Sequence, residues 1–365
     1  MLRLLITWGG SLGIGALFAF WTLQDWPVGT VLSDVHLNGL SLVWRDFSLH
    51  LLWLPVYFLT LVSMHVFRVW RWKPLLEPVV RVDIWTLNRV SSVGFLAMFL
   101  LPVRLGELVR PALLSTEVQV RRSPALATVV VERTVDGVLV AGFLAIALVF
   151  LPRANLESYT ELRWATYLAL LLFAALVALL ILVFVFRRRI AGIAHVLAPK
   201  ISGRRVGRAV AGVLDRFLQG LAIFPDWKNF LKFLAGSLGY WGSNCTGLYL
   251  LAHGFDLGIP FAAAVAMMAT IVVGMMIPNP PGNVGTFWFF LLKPLELYGL
   301  AGQPAALAFA LAVYLMQLMQ LVLFAGWFLA RGRVPWRRAF SVKFRDLANG
   351  DAPDSRAVTV ENTGP

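Results

Sequence analysis

Two short charged stretches and one proline-rich stretch interrupt strongly apolar sequence. The first charged stretch is PVRLGELVRP at 102–111, in which Arg104, Glu107 and Arg110 recur at intervals of three residues. On a helix this spacing places the three side chains along one face, with the Glu107 carboxylate between two guanidinium groups. We expect Pro111 to end this stretch. Because the planar fork of arginine binds carboxylates and phosphates through two parallel hydrogen bonds, the chemistry indicated is anion recognition.

The second charged stretch comprises Glu132, Arg133 and Asp136, inside an apolar segment at about 125–151. Glu132 and Asp136 are four residues apart and share one helix face. An unpaired charge deep in a bilayer costs about 2.5–3.5 kcal/mol, so these groups need partners or a water-filled cavity. The first stretch supplies the nearest partners in sequence. Two interpretations remain open: a self-satisfied network that locks the two segments together, or a polar cavity whose arginines exchange a carboxylate for a lipid phosphate.

The proline-rich stretch PNPPGN at 278–283 also breaks an apolar region. Prolines leave backbone groups unpaired, which a membrane protein tolerates only where protein or water satisfies them. A plain loop between two short helices is the alternative. Glycine permits a close backbone approach or a positive φ at such a turn. The candidate binding residues here are Pro278, Asn279, Pro281, Gly282, Asn283 and Gly285, and those of the first stretch include Gly106.

The composition indicates an all-α integral membrane protein. The chain is 59% hydrophobic and only 14% charged, whereas soluble domains average roughly a quarter charged residues. Apolar runs near the roughly 20 residues that cross a bilayer predict six spanning helices. Their approximate bounds are 4–23, 51–69, 125–151, 164–186, 230–252 and 305–330.

Charge distribution predicts the orientation and the partners. The net charge is +13, and basic residues of multi-span proteins collect in cytoplasmic loops, so we expect no nucleic acid partner. The loop after the second span is basic at Arg68, Arg71 and Lys73, with Trp72 in an interfacial belt. Both termini are predicted to be cytoplasmic. An amphipathic basic segment at 200–224 can lie on the anionic cytoplasmic leaflet.

Neither a metal nor another cofactor is expected. One cysteine permits no intramolecular disulfide or cysteine cluster, and the five histidines show no metal-ligand spacing.

Two segments are too short or too interrupted to span. The apolar run at 90–101 measures about 18 Å as a helix, against a bilayer core of roughly 30 Å. Because both of its flanks are basic, we predict a re-entrant hairpin that enters from the cytoplasm, with Pro102 near its turn. The span before 261–300 runs outward and the span after it ends in the cytoplasm, so both ends of 261–300 lie outside. This segment is therefore predicted to form a second hairpin that enters from the opposite face.

These elements predict an inverted-topology repeat within a polytopic membrane domain at 1–344. Its units lie at about 51–151 and 230–330, and a polar, disordered cytoplasmic tail follows at 345–365. The two units share topology without a residue-level repeat. Inverted repeats with interrupted segments at matching positions are typical of alternating-access transporters, whose substrate site lies near the bilayer midplane.

Three ordered motifs resemble the lysylphosphatidylglycerol synthase transmembrane-region family over about 5–330. They are P-x-R-x-G-E-x-x-R from Pro102, V-E-R-x-x-D from Val131 and P-x-P-P-G-N-V-G from Pro278. The resemblance implies lipid handling: in the namesake enzymes such a region moves aminoacylated phosphatidylglycerol across the bacterial inner membrane. Other members are linked to hopanoid or polyprenyl-linked glycolipid transport. Since only about 30 residues follow Arg331, we expect no synthase domain.

The leading hypothesis is therefore a non-enzymatic lipid translocator with a polar cavity between the two hairpins. A membrane-embedded transferase acting on a lipid or polyprenyl-phosphate head group is the alternative, with Glu132 and Asp136 as base or ligand. A scaffold for a lipid-synthesis enzyme is the third hypothesis, and a homo-oligomer is a further possible assembly. The sequence contains no phosphate-cradling GxxxxGK[ST] motif that would indicate an ATP engine.

Overall fold

The computed structural model describes residues 50–101, 106–118, 122–150, 227–275, 280–300 and 302–332, with five isolated helical positions elsewhere. Within these ranges the chain is helical and contains no strand. The predicted spans at about 4–23 and 164–186, the segment 200–224 and the tail 345–365 lie outside the described residues, apart from those positions. The α-helices are α1 Trp53–Trp70, α2 Trp72–Leu76, α3 Ile84–Leu100, α4 Gly106–Glu117, α5 Arg122–Phe150, α6 Trp227–Gly254, α7 Phe261–Gly274, α8 Thr286–Leu292 and α9 Pro304–Ala330.

Helices α1 and α6 form the central pair of the fold and pack along each other. The inner face of α1 carries apolar side chains at helical spacing, including Leu54, Leu61 and Met64. Glycines on α6 let the two backbones approach: a Cβ at Gly239 would stand 2.7 Å from the ring of Phe67. The chain bends between α1 and α2, and α2 continues into the interior, where it contacts α5 and α6.

The first hairpin consists of α3 and α4, which pack side by side. Helix α3 begins at Ile84, six residues before the predicted apolar run, because the Asp83 side chain caps it. Asp83 Oδ1 accepts hydrogen bonds from the backbone N–H groups of Trp85 and Thr86 at 3.0 and 2.9 Å. At the open end of the hairpin, an ion pair of 2.6 Å joins Arg89 on α3 to Glu117 on α4.

Pro111 closes the charged stretch in sequence but does not end the helix that carries it. Helix α4 runs through Pro111 to Glu117. Proline removes the hydrogen bond to the carbonyl four residues earlier and its ring crowds that carbonyl, costs that membrane helices tolerate where neighbouring groups compensate. The next turn gains two local bonds, since the Ser115 and Thr116 hydroxyls donate to the Ala112 and Leu113 carbonyls at 2.7 and 2.8 Å.

The second half of the chain contains a shorter and more irregular pair of arms. Helix α7 leads to a turn, a 3₁₀ helix at Pro281–Asn283, the short helix α8 and a second 3₁₀ helix at Lys293–Tyr298. Helices α7 and α8 pack against each other, and the Thr270 hydroxyl donates to the Phe290 carbonyl at 2.7 Å. Gly274 lies against the ring of Phe290, where a Cβ would collide with the ring.

Long helices of one half pack against short arms of the other half. Helix α5, which follows the first hairpin, packs against α7, the first arm of the second half. Conversely, α9 packs against α3, the first arm of the first hairpin. The two halves are therefore interleaved, and the space between them is bordered by α1, α9 and all the helices from α3 to α7.

Two described stretches are long and apolar enough to cross a membrane, Trp53–Leu76 and Pro304–Ala330, of 24 and 27 residues. Helices α3 and α7 are apolar but shorter. Several large apolar side chains point outward from α1 and α9, which suits contact with lipid chains. They include Leu59, Val66, Val322, Leu323 and Trp327.

Candidate functional site

The first hairpin and α5 are joined by a buried ion pair. Arg110 on α4 donates from Nη1 to Glu132 Oε2 at 2.8 Å, and both side chains are fully buried. The Arg110 guanidinium also lies 3.8 Å from the ring centroid of Trp72, a cation–π geometry that stabilises a charge withdrawn from water. The structure thus brings together two residues that the sequence motifs placed 22 positions apart.

Arg71 is the second cation of this site. Its Nη2 donates to Glu132 Oε1 at 2.7 Å, and its Nη1 and Nη2 donate to the two Asp136 oxygens at 2.5 and 2.8 Å. The Trp241 indole N–H adds a bond of 3.1 Å to Asp136. Arg71, Glu132, Asp136 and Arg110 therefore form a continuous chain of ion pairs, which we call the charge lock.

The assignment of Arg71 to an exposed loop and of Trp72 to the membrane interface is wrong. Arg71 and Trp72 are both fully buried, because the bend after α1 turns the chain into the protein. Trp72 donates from Nε1 to Thr128 Oγ1 at 3.0 Å on α5. Arg71 instead connects α1 to α5, and its hydroxyl neighbour Ser237 on α6 lies 3.4 Å from Nη1.

A cavity of about 370 Å³ lies beside the charge lock and between the two halves of the fold. Phe99, on the first hairpin, and Asn283, on the second, both border it. Its polar lining includes Arg68, Glu107, Arg133, Asp136, Tyr240, Asn244, Asn283 and Gln317. Its apolar lining includes Met64, Phe95, Met98, Phe99, Met268, Ile271, Val272, Met275 and Leu321.

Two arginines in the cavity are only loosely paired. The Nη2 and Nη1 atoms of Arg133 lie 3.8 Å from Glu132 Oε1 and 3.7 Å from Asp136 Oδ2, beyond hydrogen-bond distance. Arg68 lies 3.7 Å from the ring centroid of Phe95. It donates to the sulfur of Met98 at 3.7 Å, a weak acceptor. Among the described residues, no carboxylate is within ion-pair distance of Arg68.

The proline-rich turn adopts the positive φ values expected of its glycines. Gly282 and Gly285 have φ of 72° and 84°, and Asn283 has φ of 54°. Pro281 begins the 3₁₀ helix, and Gly285 directly precedes α8. The Tyr314 hydroxyl on α9 donates to the Gly282 carbonyl at 2.9 Å, which anchors the turn beside the cavity.

The candidate residues divide into four groups. Glu107, Arg133, Asp136 and Asn283 border the cavity. Arg110 and Glu132 belong to the charge lock behind it. Four residues determine the backbone conformation: Gly106, Pro281, Gly282 and Gly285. At Gly106, for example, a Cβ would collide with the backbone of Met98. Arg104, Pro278 and Asn279 lie outside the described residues.

Polar side chains on the long helices contact each other and also border the cavity. Asn244 donates to the Met64 sulfur at 3.3 Å, and Gln317 donates to the Tyr57 hydroxyl at 3.3 Å. These two amides therefore join helices and also face the open space. His65 is buried between these helices, with its Nε2 2.8 Å from Asn88 Oδ1.

Sequence reasoning missed Arg68 and Trp241 as site residues. The signal for Arg68 is its separation of three residues from Arg71, which puts both on one face at the end of an apolar helix. The positive-inside rule counts such arginines as loop charges and so hides them. Trp241 gives no signal in the sequence, because only the folded chain brings its N–H on α6 within hydrogen-bond distance of Asp136 on α5.

One protein-family model matches most of the chain. Residues 8–326 match the model of the family described as lysylphosphatidylglycerol synthase TM region. No curated protein and no solved structure matches the chain significantly. Because the match spans most of the sequence, the chain belongs to this family of membrane proteins, which confirms the resemblance carried by the three motifs.

Proposed function

We propose that this member of the family is a lipid translocator and not an enzyme. It moves a phospholipid, or a polyprenyl-linked or hopanoid-type lipid, between leaflets, and binds the head group in the cavity between the two hairpins. The observation that carries this proposal is the pair of loosely paired arginines, Arg68 and Arg133, on the cavity wall. Guanidinium groups without close carboxylates favour binding of an anion such as phosphate.

The charge lock and the cavity arginines have separate tasks in this proposal. Arg71 and Arg110 hold Glu132 and Asp136 at 2.5–2.8 Å and fix α1, α4 and α5 relative to one another. Arg133 contacts the same carboxylates only at 3.7 and 3.8 Å. A phosphate oxygen can therefore accept a hydrogen bond from Arg133 without breaking a short ion pair.

The mixed lining of the cavity supports a lipid as the substrate. Arginine and amide side chains line one part, and Met98, Phe99 and Met275 are among the apolar residues that line the rest. Methionine adapts its shape readily, which suits contact with flexible acyl chains. A free polar solute would gain nothing from the apolar part, whereas a lipid gains from both.

We further propose six spanning helices and two oppositely oriented re-entrant hairpins, in inverted units at about 51–151 and 230–330. The first arms support re-entry: α3 and α7 have 17 and 14 residues, or about 25 and 21 Å, against a core of roughly 30 Å. The interleaving of the two halves supports the repeat, since α5 packs on α7 and α9 packs on α3. Rocking of one unit against the other would expose the cavity alternately to each leaflet.

The proposed location is the bacterial cytoplasmic membrane, with both termini in the cytoplasm. The excess of arginine and lysine in the loops supports this orientation and an association with the anionic leaflet. Because the sequence has no ATP-binding motif, we assign the energy for transport to a gradient, to a coupled proton or to consumption of the lipid on the far side of the membrane. A second copy of the chain or a lipid-synthesis enzyme is the proposed protein partner.

The transferase alternative receives less support from the geometry. A general base needs a carboxylate that can accept a proton from the substrate. Glu132 and Asp136 already accept short hydrogen bonds from Arg71, so we assign them to the charge lock.

Reconstituted liposomes containing fluorescent phosphatidylglycerol test the translocator. We expect the purified protein to move label between leaflets, and Arg133→Gln to slow this movement at least about tenfold, because a charged hydrogen bond is worth roughly 1.5–3 kcal/mol. Arg331→Gln removes an exposed guanidinium at the end of α9 and should leave the rate unchanged. Folded, reconstituted protein that moves no lipid, or that converts a lipid-linked donor instead, would refute the proposal.

A further inference from the structure

We propose that binding of an anion in the cavity is linked to the uptake of one proton by His65, and that Gln320 connects the two events. His65 lies on α1 and is buried, and Gln320 on α9 borders the cavity. The inference rests on the proposed translocator function and assigns its coupled proton to one residue. It follows from the partners of the two imidazole nitrogens and from the charges around the ring.

The two ring nitrogens of His65 face partners of opposite kinds. Nε2 lies 2.8 Å from Asn88 Oδ1 on α3, an oxygen that can only accept a hydrogen bond. Nδ1 lies 3.3 Å from Gln320 Nε2 on α9, an amide nitrogen that can only donate. The Ser92 hydroxyl donates to the same Asn88 oxygen at 3.3 Å. These partners select the neutral imidazole with its proton on Nε2.

A second proton on His65 would require Gln320 to turn its amide. The new Nδ1–H group would meet the Gln320 Nε2 group, which is also a donor. Rotation of the terminal amide, a torsion with a broad energy profile, presents Oε1 to the charged ring instead. The N–H₂ group then points away from His65 and is free to donate to an anion, because Gln320 borders the cavity.

The charges around His65 couple its proton to an anion in the cavity. Among the described residues, Arg68 on the same helix and Arg110 on α4 are the charged groups whose fields act on His65. Arg110 is paired with Glu132, whereas Arg68 borders the cavity, with Tyr240 of α6 beside it. An anion bound at Arg68 offsets the repulsion between that guanidinium and a charged imidazole. The anion and the proton therefore favour each other's binding.

Aromatic rings hold the imidazole in place in both charge states. Phe324 on α9 stacks against it, with ring centroids 4.4 Å apart and planes inclined by 23°. Phe95 on α3 contacts it edge to face at 5.8 Å. Since the face of an aromatic ring attracts a cation, the stacked Phe324 stabilises a charged imidazole. His65 can therefore gain a proton without leaving its position between α3 and α9.

Single side chains separate His65 from the surface on one side and from the cavity on the other. Asn88 is half-buried and lies in the second turn of α3, whose first residues are exposed. Gln320 occupies the opposite side and borders the cavity. A proton can therefore reach His65 from the end of α3 that begins at Ile84, while the anion occupies the cavity.

Calorimetry of the full-length protein in detergent tests the linkage, with dihexanoyl phosphatidylglycerol as the anionic probe. Its phosphodiester stays singly charged near neutral pH, so protons taken up on binding are bound by the protein. Titrations in buffers of different ionisation enthalpy give the number of protons per lipid. We expect uptake of at least about 0.3 proton near pH 6.5, the ordinary pKa of histidine. Absence of binding, or binding without proton uptake, would overturn the inference.

The pH dependence of the affinity gives a second readout with a defined sign. Because binding takes up a proton, it should tighten as the pH falls, by at least about threefold from about pH 7.5 to about pH 5.5. An affinity that stays constant or weakens over this range would contradict the linkage.

Three variants assign the proton to His65 and its route to Gln320. His65→Gln keeps a hydrogen-bonding amide but cannot titrate, so proton uptake should disappear; uptake equal to that of the parent would refute the assignment. His253→Gln, which removes an exposed histidine at the end of α6, is the matched control and should keep the parent's uptake. Gln320→Leu retains the histidine but removes the acceptor of its second proton, and should lower the uptake at least about twofold. Unchanged uptake in Gln320→Leu would refute the route, also if His65→Gln misfolds.

The linkage and the translocator fail in different experiments. Movement of fluorescent phosphatidylglycerol in liposomes, together with binding that takes up no proton, would refute the role of His65 and leave the translocator standing. Proton-linked binding without movement between leaflets would refute the translocator and leave the linkage standing.

Discussion

Arginine has two different tasks within one small region of this protein. Arg71 and Arg110 are buried, and each makes hydrogen bonds of 2.8 Å or less to carboxylates. Arg68 and Arg133 face open space, and neither has a carboxylate at hydrogen-bond distance among the residues that the structure describes. The distance to a carboxylate therefore separates an arginine that holds the fold from an arginine that can hold a ligand.

The charge lock predicts a large loss of stability when its shared carboxylate is removed. Glu132→Gln should destabilise the protein by about 3–5 kcal/mol, because it leaves Arg71 and Arg110 buried with one anion fewer. The apparent Tm in detergent measures the effect. Glu117→Gln is the matched control: it breaks the partly exposed pair with Arg89 and should cost no more than about 1 kcal/mol. Equal losses for the two variants would contradict the lock.

At the residue scale, the sequence was informative where charges interrupt an apolar segment. Glu132 and Asp136 require partners in any membrane protein, and the nearest arginines on the preceding segment include the correct one, Arg110. Arg71 could not be identified as a partner in this way. A charged residue at the end of an apolar run is assigned to a loop from sequence, and only the bend after α1 shows that Arg71 is buried.

At the scale of elements, the first hairpin depends on close contact between α3 and α4 at Gly106. Gly106→Ala should destabilise the protein by about 1–3 kcal/mol, since its Cβ would collide with the backbone of Met98, which cannot move aside as a side chain can. Thermal unfolding in detergent checks this. Gly242→Ala on α6 meets nothing within 4 Å and should be neutral or stabilising by up to about 1 kcal/mol. A neutral Gly106→Ala would mean that the arms are less closely packed.

The start of α3 predicts a second, smaller effect. Asp83→Ala should cost about 1 kcal/mol, because two backbone N–H groups lose their acceptor, while Asp83→Asn should retain most of the cap. Hydrogen bonds from the Thr86 side chain and backbone hold the pKa of Asp83 below its usual value.

The pH dependence follows from this direction. A depressed pKa in the folded protein stabilises it above the pKa of the unfolded chain, about 3.9. The charge-dependent stabilisation is lost as the pH falls through the lower, folded value. The stability difference between the parent and Asp83→Ala should therefore shrink in acid, and a difference that grows in acid would contradict the cap.

The sequence located the long helices α1, α5, α6 and α9 to within three residues at each end but misjudged the two arms of the first hairpin. Helix α3 starts at Ile84 because Asp83 is an N-cap, a signal the sequence contains but which the apolar run at 90–101 obscured. Helix α4 continues through Pro111, because the packed interior of a membrane protein compensates for the missing N–H. The helix propensities of individual residues do not predict such compensation by neighbouring groups.

At the scale of the whole molecule, the inverted topology predicts opposite sides for two exposed positions. Arg81 precedes the first hairpin and Gln303 follows the second, and both are exposed. In a Cys245→Ser background, Arg81→Cys should react with an impermeant thiol reagent only from the cytoplasmic side, and Gln303→Cys only from the outside. Labelling of both from one side would contradict the inverted repeat.

The packing between the halves could not be predicted from the sequence, which has no residue-level repeat to align them. That α5 packs on α7 and α9 on α3 depends on shape complementarity along entire helices. The cavity is a product of this interleaving, so its lining by Arg68, Asn244 and Gln317 follows from the assembled molecule and from no single motif.

A cryo-EM structure in lipid nanodiscs that contain phosphatidylglycerol would test the proposed head-group site most directly. We predict density for a phosphate in the cavity, within about 3 Å of the Arg68 and Arg133 guanidinium groups, with the acyl chains along the apolar wall. The charge lock should remain intact in that structure. An empty cavity, with ordered lipid only on the outer surface of the helices, would contradict the proposal.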